Sequence, residues 1–286
     1  MIDLLQQLLN GLVIGSTYAL VALGLTLIYG ILYIPNFAHG QAYMWAAYVT
    51  YFLITLLGMN YWLVILAVTF LFILLGMMIE WTIFKPLLDK PHINGFIAAI
   101  GLVMLMESLV LIFFGAEYQK FPEGFSKIIA FGDLILTRQR IICILGSFVL
   151  IFLLYLFINH TRLGESIQAV AQNETGAKLV GINVKYNSAI AFGLGTGLAA
   201  TAASLIAPIF LVFPQMGGMV NLKAFVIIIL GSMGSLVGAV IGGFMMGLVE
   251  ALVSGYLSAS YKDFIAFGIL VLVLIFKPTG LFGGRQ

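Results

Sequence analysis

Charge is what this sequence has least of. Thirteen Lys and Arg and eleven Asp and Glu amount to 8% of its 286 residues. An ordinary soluble domain carries about 25%, so the deficit excludes a soluble globular protein. Disorder is excluded as well, since it needs high charge and low hydrophobicity. Cysteine is almost absent. Cys143 stands alone, which forbids an internal disulfide and a cysteine metal cluster. His39, His92 and His160 are far apart and show no metal-ligand spacing. The basic residues are dispersed and make no nucleic-acid patch. No GxxxxGK[ST] motif occurs, so the chain has no phosphate-binding loop of its own. No paired acids, Ser-His-Asp set or metal cluster can be placed at one depth, which leaves an intramembrane enzyme poorly supported.

Apolar residues fill the space that charge leaves. They make up 62% of the chain, and the mean hydropathy is +1.15. Uniform apolar runs of about 20 residues indicate membrane-spanning helices, whereas a membrane β-barrel would alternate in strands of about ten. The expected fold class is all-α, a polytopic transmembrane bundle forming a single transmembrane domain over 1–286. Candidate spans fall near 8–30, 40–57, 61–84, 93–115, 139–159, 188–212, 222–254 and 261–277. The seventh is too long for one straight helix, and Gly231-Ser232-Met233-Gly234-Ser235 interrupts it. It reads as a half-helix, a break and a full span, giving eight or nine crossings.

No Lys or Arg precedes Lys85. Without a charged leader region the first span does not read as a cleaved signal peptide, and the positive-inside rule puts the N-terminus outside. Lys85, Lys90 and His92 then mark the first inside loop. The outside loop 116–138 carries Glu117, Lys120, Glu123, Lys127, Asp133 and Arg138. The polar stretch 160–187 is inside, and nine crossings place Lys277 and Arg285 inside too.

Four features could carry function. The inside stretch 160–187 has helical character over 165–180, with Gly164 and Gly181 expected at its ends. Arg162, Glu165, Glu174 and Lys178 could set register in a partner's groove; an ordinary polar connector is the alternative. The second feature is Ile34-Pro35-Asn36-Phe37-Ala38-His39-Gly40-Gln41. Proline breaks helices, and irregular backbone at membrane depth must be buried or line a cavity. It is either a broken helix beside a transport path or an interfacial turn. Third are the intramembrane acids Glu107 and Glu250, which must face the bundle interior and find a partner or carry a proton. Glu80 reads instead as a helix-end position beside Lys85. Last are Gly234, Gly238 and Gly242, with Gly243, Gly247, Gly193 and Gly197, whose four-residue spacing suits close helix packing.

Taken together, these residues resemble the permease subunits of high-affinity branched-chain amino acid ABC importers. The resemblance runs through Asn10-Gly11, Gly15-Ser16-Thr17-Tyr18-Ala19-Leu20 and Asn36-Phe37-Ala38-His39-Gly40. It continues through Arg162-Leu163-Gly164, Ala177 to Asn183, Lys223-Ala224-Phe225, Leu230-Gly231, Gly234-Ser235, Gly238-Ala239 and Glu250-Ala251. Tyr261-Lys262-Asp263 and Lys277-Pro278-Thr279-Gly280-Leu281 complete it. The ordered set covers nearly the whole chain. Three positions depart from the pattern: Gln168 where relatives commonly have Arg, Ser232 where they have Gly, and Gln41 where Glu is frequent.

The resemblance implies a multi-pass inner-membrane subunit that pairs with a second, related permease. Two cytoplasmic ATPases bind below it, and an extracytoplasmic amino-acid-binding protein delivers the cargo. No cofactor belongs to this chain; ATP and Mg sit on the ATPases. By the same resemblance the ATPase-coupling residues are Arg162, Gly164, Glu165, Asn173, Ala177, Gly181 and Ile182. A zwitterionic amino acid can be steered by hydroxyls and dipoles, so Ser16, Thr17, Tyr18, Asn36, His39 and Gln41 are the expected path residues. Urea, amides or other amino acids are alternative cargoes. An ion-driven transporter using Glu107 or Glu250 is the rival mechanism.

Overall fold

The computed structural model describes residues 2–32, 35–88, 90–122, 125, 128–131 and 134–283. Ile34, Glu123, Lys127, Asp133 and Arg285, named above, lie outside the described residues. The chain folds into helices α1 (Ile2–Leu32), α2 (His39–Thr55), α3 (Tyr61–Ile79), α4 (His92–Phe114) and α5 (Arg138–His160). Two short helices follow, α6 (Arg162–Gln172) and α7 (Glu174–Leu179). Then come α8 (Val184–Ile206), α9 (Met216–Gly231), α10 (Leu236–Tyr256) and α11 (Lys262–Phe276). Between α4 and α5 a hairpin pairs β1 (Ile128–Phe131) antiparallel with β2 (Leu134–Thr137), with Ile128 opposite Thr137. A bridge between Gln119 and Val212 ties this region to the loop after α8.

Seven helices among the described residues are long and apolar enough to cross a membrane. These are α1, α3 with its extension to Leu87, α4, α5, α8, α10, and α11 with the preceding turn. The 17-residue α2 and the 16-residue α9 are shorter. The break expected within 222–254 is present, because α9 stops at Gly231 and α10 starts at Leu236, capped by Ser235, which accepts from Gly238 N. The first helix begins six residues earlier than hydropathy suggests. Its polar first turns are held by tertiary contacts: Arg140 donates to Asn10, and the Gln7 side chain packs at Gly255.

The centre of the bundle is α1 against α10 and α8. A Cβ on Gly247 would fall onto the backbone of Gly15, and one on Gly243 would lie 2.6 Å from Ala19 Cα. On the other side, Gly24 and Gly195 face each other in the same way. These contacts bring helix backbones together where no side chain fits, as small-residue interfaces do in membranes. Large residues such as Leu20, Leu23 and Leu25 fill the rest of the core. By contrast, α4 and α11 are mostly exposed and apolar, as suits faces turned to lipid.

Glu80 stands at a helix end, as the C-cap of α3, and is fully buried there, opening a π-helical turn, Glu80–Phe84, with the Ser188 hydroxyl beside it. The tight packing of α3 on α8 through Gly76, Gly193 and Gly197 draws that turn into the bundle. The loop 160–187 contains two helices, not one. Asn173 takes an extended conformation, and its side chain accepts from Gly176 N at 2.9 Å, which caps α7 and breaks the run.

The glycine contacts make a direct prediction. Gly247→Leu has no space and should lower the unfolding midpoint and the monodisperse yield, at an overpacking cost of at least about 1–3 kcal/mol. Gly101→Leu meets nothing within 4 Å and should leave both unchanged. Thermal unfolding in detergent, read by size-exclusion chromatography, checks the pair.

Candidate coupling surface and translocation cavity

The two short helices are docked rigidly at the end of α5. Thr161 donates to Phe157 O at 2.7 Å and accepts from Gly164 N at 3.1 Å, so one side chain closes α5 and opens α6. Gly164 therefore lies inside the first turn of α6, not at its boundary. It is glycine because a Cβ there would meet the Phe157 carbonyl and the Ile158 backbone. Gln168 donates to Ile158 O at 3.0 Å, while Ile167 and Val170 are buried in the core. At position 168, where relatives commonly have Arg, the amide thus ties α6 back to α5.

The outer face of the loop is free. Arg162, Glu165, Asn173 and Gly181 are exposed. Ala177 is buried, and its carbonyl accepts from half-buried Ile182 N at 3.0 Å, closing the turn after α7. Gly181 has φ +85°, which only glycine takes without strain. Glu174 and Lys178 pair at 2.6 Å on the exposed surface, a contact worth about 0.3–0.5 kcal/mol. Leu179 and Val180 project at 84% and 76% exposure. They are the apolar tip of an otherwise polar loop.

A cavity of about 990 Å³ lies directly against this docking unit. Its walls are the second half of α1, the second half of α5, α6, and the turn that starts α10. Tyr29, Tyr155, Asn159, Gln168, Gln172 and Ser235 give it a neutral polar lining among apolar residues.

The expected path residues lie elsewhere, in the packed core. Ser16 and Thr17 both donate to Val13 O and sit against Cys143. Asn36, His39 and Gln41 are each at most 3% exposed. His39 contacts Val21 O at 3.1 Å, eleven residues before the end of α1. At about 1.5 Å per residue that is about 16 Å of helix. The chain has therefore turned back into the bundle before α2 begins, so the block is a broken segment at depth and not an interfacial turn. Asn221 of α9 clamps it, accepting from Gly40 N at 3.1 Å and donating to Phe37 O at 2.8 Å. None of Ser16, Thr17, Tyr18, Asn36, His39 and Gln41 lines the cavity.

The two intramembrane acids separate. Glu107 is half-buried on α4. Glu250 is 2% exposed and is neutralised by Lys223, whose Nζ lies 2.8 and 2.9 Å from its two oxygens. The same ammonium reaches Asp263 at 3.0 Å and Tyr18 at 2.9 Å, and Tyr18 in turn donates to Glu250 at 3.0 Å. Four helices meet in this network, α1, α9, α10 and α11. Glu250 Oε2 accepts from both Tyr18 and Lys223, so the carboxylate finds its partners inside the bundle. Sequence reading gave Lys223 no role, although a lysine inside an apolar helix signals a buried counter-ion. Asn221 was missed for want of any local pattern.

Comparison with known proteins settles the family. Residues 7–274 match the family described as branched-chain amino acid transport system / permease component. The chain belongs to that family. It is 36% identical to the high-affinity branched-chain amino acid transport system permease protein BraD of Pseudomonas aeruginosa, over 98% of this chain and 95% of the relative. Identity and coverage are the same for the permease protein LivH of Escherichia coli K12. Among solved structures, PsaBC from Streptococcus pneumoniae in complex with Fab matches with a TM-score of 0.51 at 16% identity, covering 94% of this chain and 91% of that one. That likeness shows the fold alone. The chain is thus a multi-pass permease subunit of an ABC transporter and not itself an enzyme, and such a subunit works with ATPase and binding-protein partners.

The Lys223 network is testable by a cycle. Lys223→Met strands a buried carboxylate and should cost about 3–5 kcal/mol, whereas Lys223→Met with Glu250→Met should recover most of it. Unfolding midpoints in nanodiscs measure both. An unchanged single variant would remove the network from the stability of the bundle.

Proposed function

We propose that this chain forms part of the route by which branched-chain amino acids enter the cell, moved by ATP hydrolysed on separate subunits. The observation that carries the reading is the docking unit of α6 and α7, rigid on its inner side and free on its outer side, in a chain of this family. Two ATPases, holding ATP and Mg, dock on the exposed face of the loop. Leu179 and Val180 enter their grooves, and Arg162, Glu165 and Glu174 set register by charge. The loop is then cytoplasmic, and with the short α2 counted as a crossing the N-terminus lies outside, in agreement with the dearth of early basic residues.

Cargo passes along the cavity between α5 and α10, completed by a second, related permease. Closure of the ATPases pushes α6. Thr161 and Gly164 transmit the push to α5 without slack, and the cavity changes shape because α6 is one of its walls. In this packed state Ser16 and Thr17 face Cys143 of α5, Asn36 accepts from Ala38 N, and His39 and Gln41 seat α2 against α1 and α9. They would meet cargo only when those helices part. An extracytoplasmic binding protein supplies recognition of leucine, isoleucine and valine, which permits a path lined by neutral groups.

The test uses the transporter reconstituted in vesicles with its ATPases and binding protein. Leu179→Asp with Val180→Asp, and separately Gly181→Trp, should reduce uptake more than about tenfold, the effect of losing about 1.4 kcal/mol or more of coupling. Assembly of the two permeases should persist. Normal uptake in both variants would sink the coupling role, and uptake of urea in place of leucine would reassign the cargo.

A further inference from the structure

A second cavity, of about 390 Å³, lies at the far end of α5. Residues 120–122 and 125, the first turn of α5 and the loop 208–211 enclose it. The Gln119–Val212 bridge, with hydrogen bonds of 2.8 and 3.0 Å, fixes two of these walls to each other. Its volume is near the low end of the range of about 300–1,000 Å³ for small-molecule sites.

The lining is amphipathic and one-signed. Phe121, Phe125, Ile209 and Leu211 supply apolar walls, Lys120 and Arg140 supply positive charge, and among the described residues no acid lines it. Gln139 contributes no free donor to a ligand, since its amide nitrogen is taken by Tyr61 and Leu205 O. Arg140 is half-buried and donates one N–H to Asn10. A guanidinium has five such donors in a planar fork, so the rest can meet a carboxylate as a bidentate pair. Partial burial strengthens that attraction relative to water.

We infer that this cavity is a receiving site for a compact branched aliphatic carboxylate, with Arg140 as the counter-charge and the Phe and Ile walls holding the alkyl group. The inference rests on the importer reading, because α5 runs from this cavity to the coupling loop and so puts the cavity on the face opposite the ATPases. It goes beyond that reading in placing a cargo contact on this subunit and in assigning which half of the zwitterion is read.

Saturation-transfer NMR on the complete transporter in nanodiscs, without the binding protein, tests this. The probes are L-leucine, 4-methylpentanoate, which lacks the amine, and leucinol, which lacks the carboxylate. Methyl signals are expected for the first two and not for leucinol. Arg140→Gln should weaken them about tenfold, the loss of one charge-assisted pair, and Arg140→Lys should keep part of the signal. Ile209→Trp fills the cavity without touching the Arg140–Asn10 contact and should abolish transfer in a folded protein. Leucinol binding as well as leucine, or an Arg140→Gln variant that binds like the wild type, overturns the site. So does a phospholipid found by native mass spectrometry that is lost in Arg140→Gln while leucine gives no signal. The cargo reading is checked separately. If the wild-type complex with ATP and binding protein takes up no branched-chain amino acid, that reading fails; if it does and Arg140→Gln gives unchanged signals, only the receiving site fails.

Discussion

Helix α1 can approach α10 and α8 only where neither partner carries a side chain. Gly15 against Gly247, Ala19 against Gly243 and Gly24 against Gly195 form two such seams along one helix. Lipid tails are as apolar as leucine, so burying apolar surface gives these helices no reason to associate. Close backbone packing does. The arrangement fixes the depth of everything attached to α1. Tyr18 sits one residue from a seam and is thereby held at Lys223 and Glu250. His39 finds the Val21 carbonyl because α1 is already immobilised between two neighbours.

The ionic network and the broken segment solve the same problem in different ways. Each places polar atoms where water is excluded, and unpaired polar atoms there are costly. Lys223, Glu250, Asp263 and Tyr18 pair among themselves. The irregular backbone at Phe37 and Gly40 is paired by one side chain, Asn221. Both partners lie on α9, within a single turn of one another. The short α9 therefore gathers polar contacts from α1, α2, α10 and α11, and the chain break on its far side, from Gly231 to Leu236, frees it from the geometry of a full span.

Much of this was legible in the residues. Apolar runs located the spans, and polar residues at four of their starts, Asn60, Thr137, Asn183 and Ser235, cap the helices. The break before α10 was visible as a glycine-serine cluster. What failed was anything that depends on a partner distant in sequence. Glu80 read as a helix-end position beside Lys85, and its burial is decided by Ser188 and the α3–α8 contact. Gly164 read as a helix boundary because glycine often is one, whereas the approach of α5 decides its role. The path residues were read from their polarity alone, and polarity does not tell which helices bury them. Parts of the loop 160–187 are set locally, by caps at Thr161 and Asn173 and a left-handed glycine at 181.

One element connects all the functional surfaces. Helix α5 is 23 residues long, about 34 Å at 1.5 Å per residue, and is continuous from Arg140 to His160. Its last turn is locked to α6 by Thr161 and Gly164, its middle lines the large cavity, and its first turn lines the smaller one. A helix without proline or a π-turn does not absorb a push by bending. Under the proposed coupling, displacement of α6 would therefore reach Arg140 at the far end. The Gln119–Val212 bridge joins the loops that face it, and Gln139 beside Arg140 donates to Leu205 O at the end of α8. Motion imposed at α6 would then alter the contacts of the smaller cavity through the helix itself, without a chain of rearranging side chains.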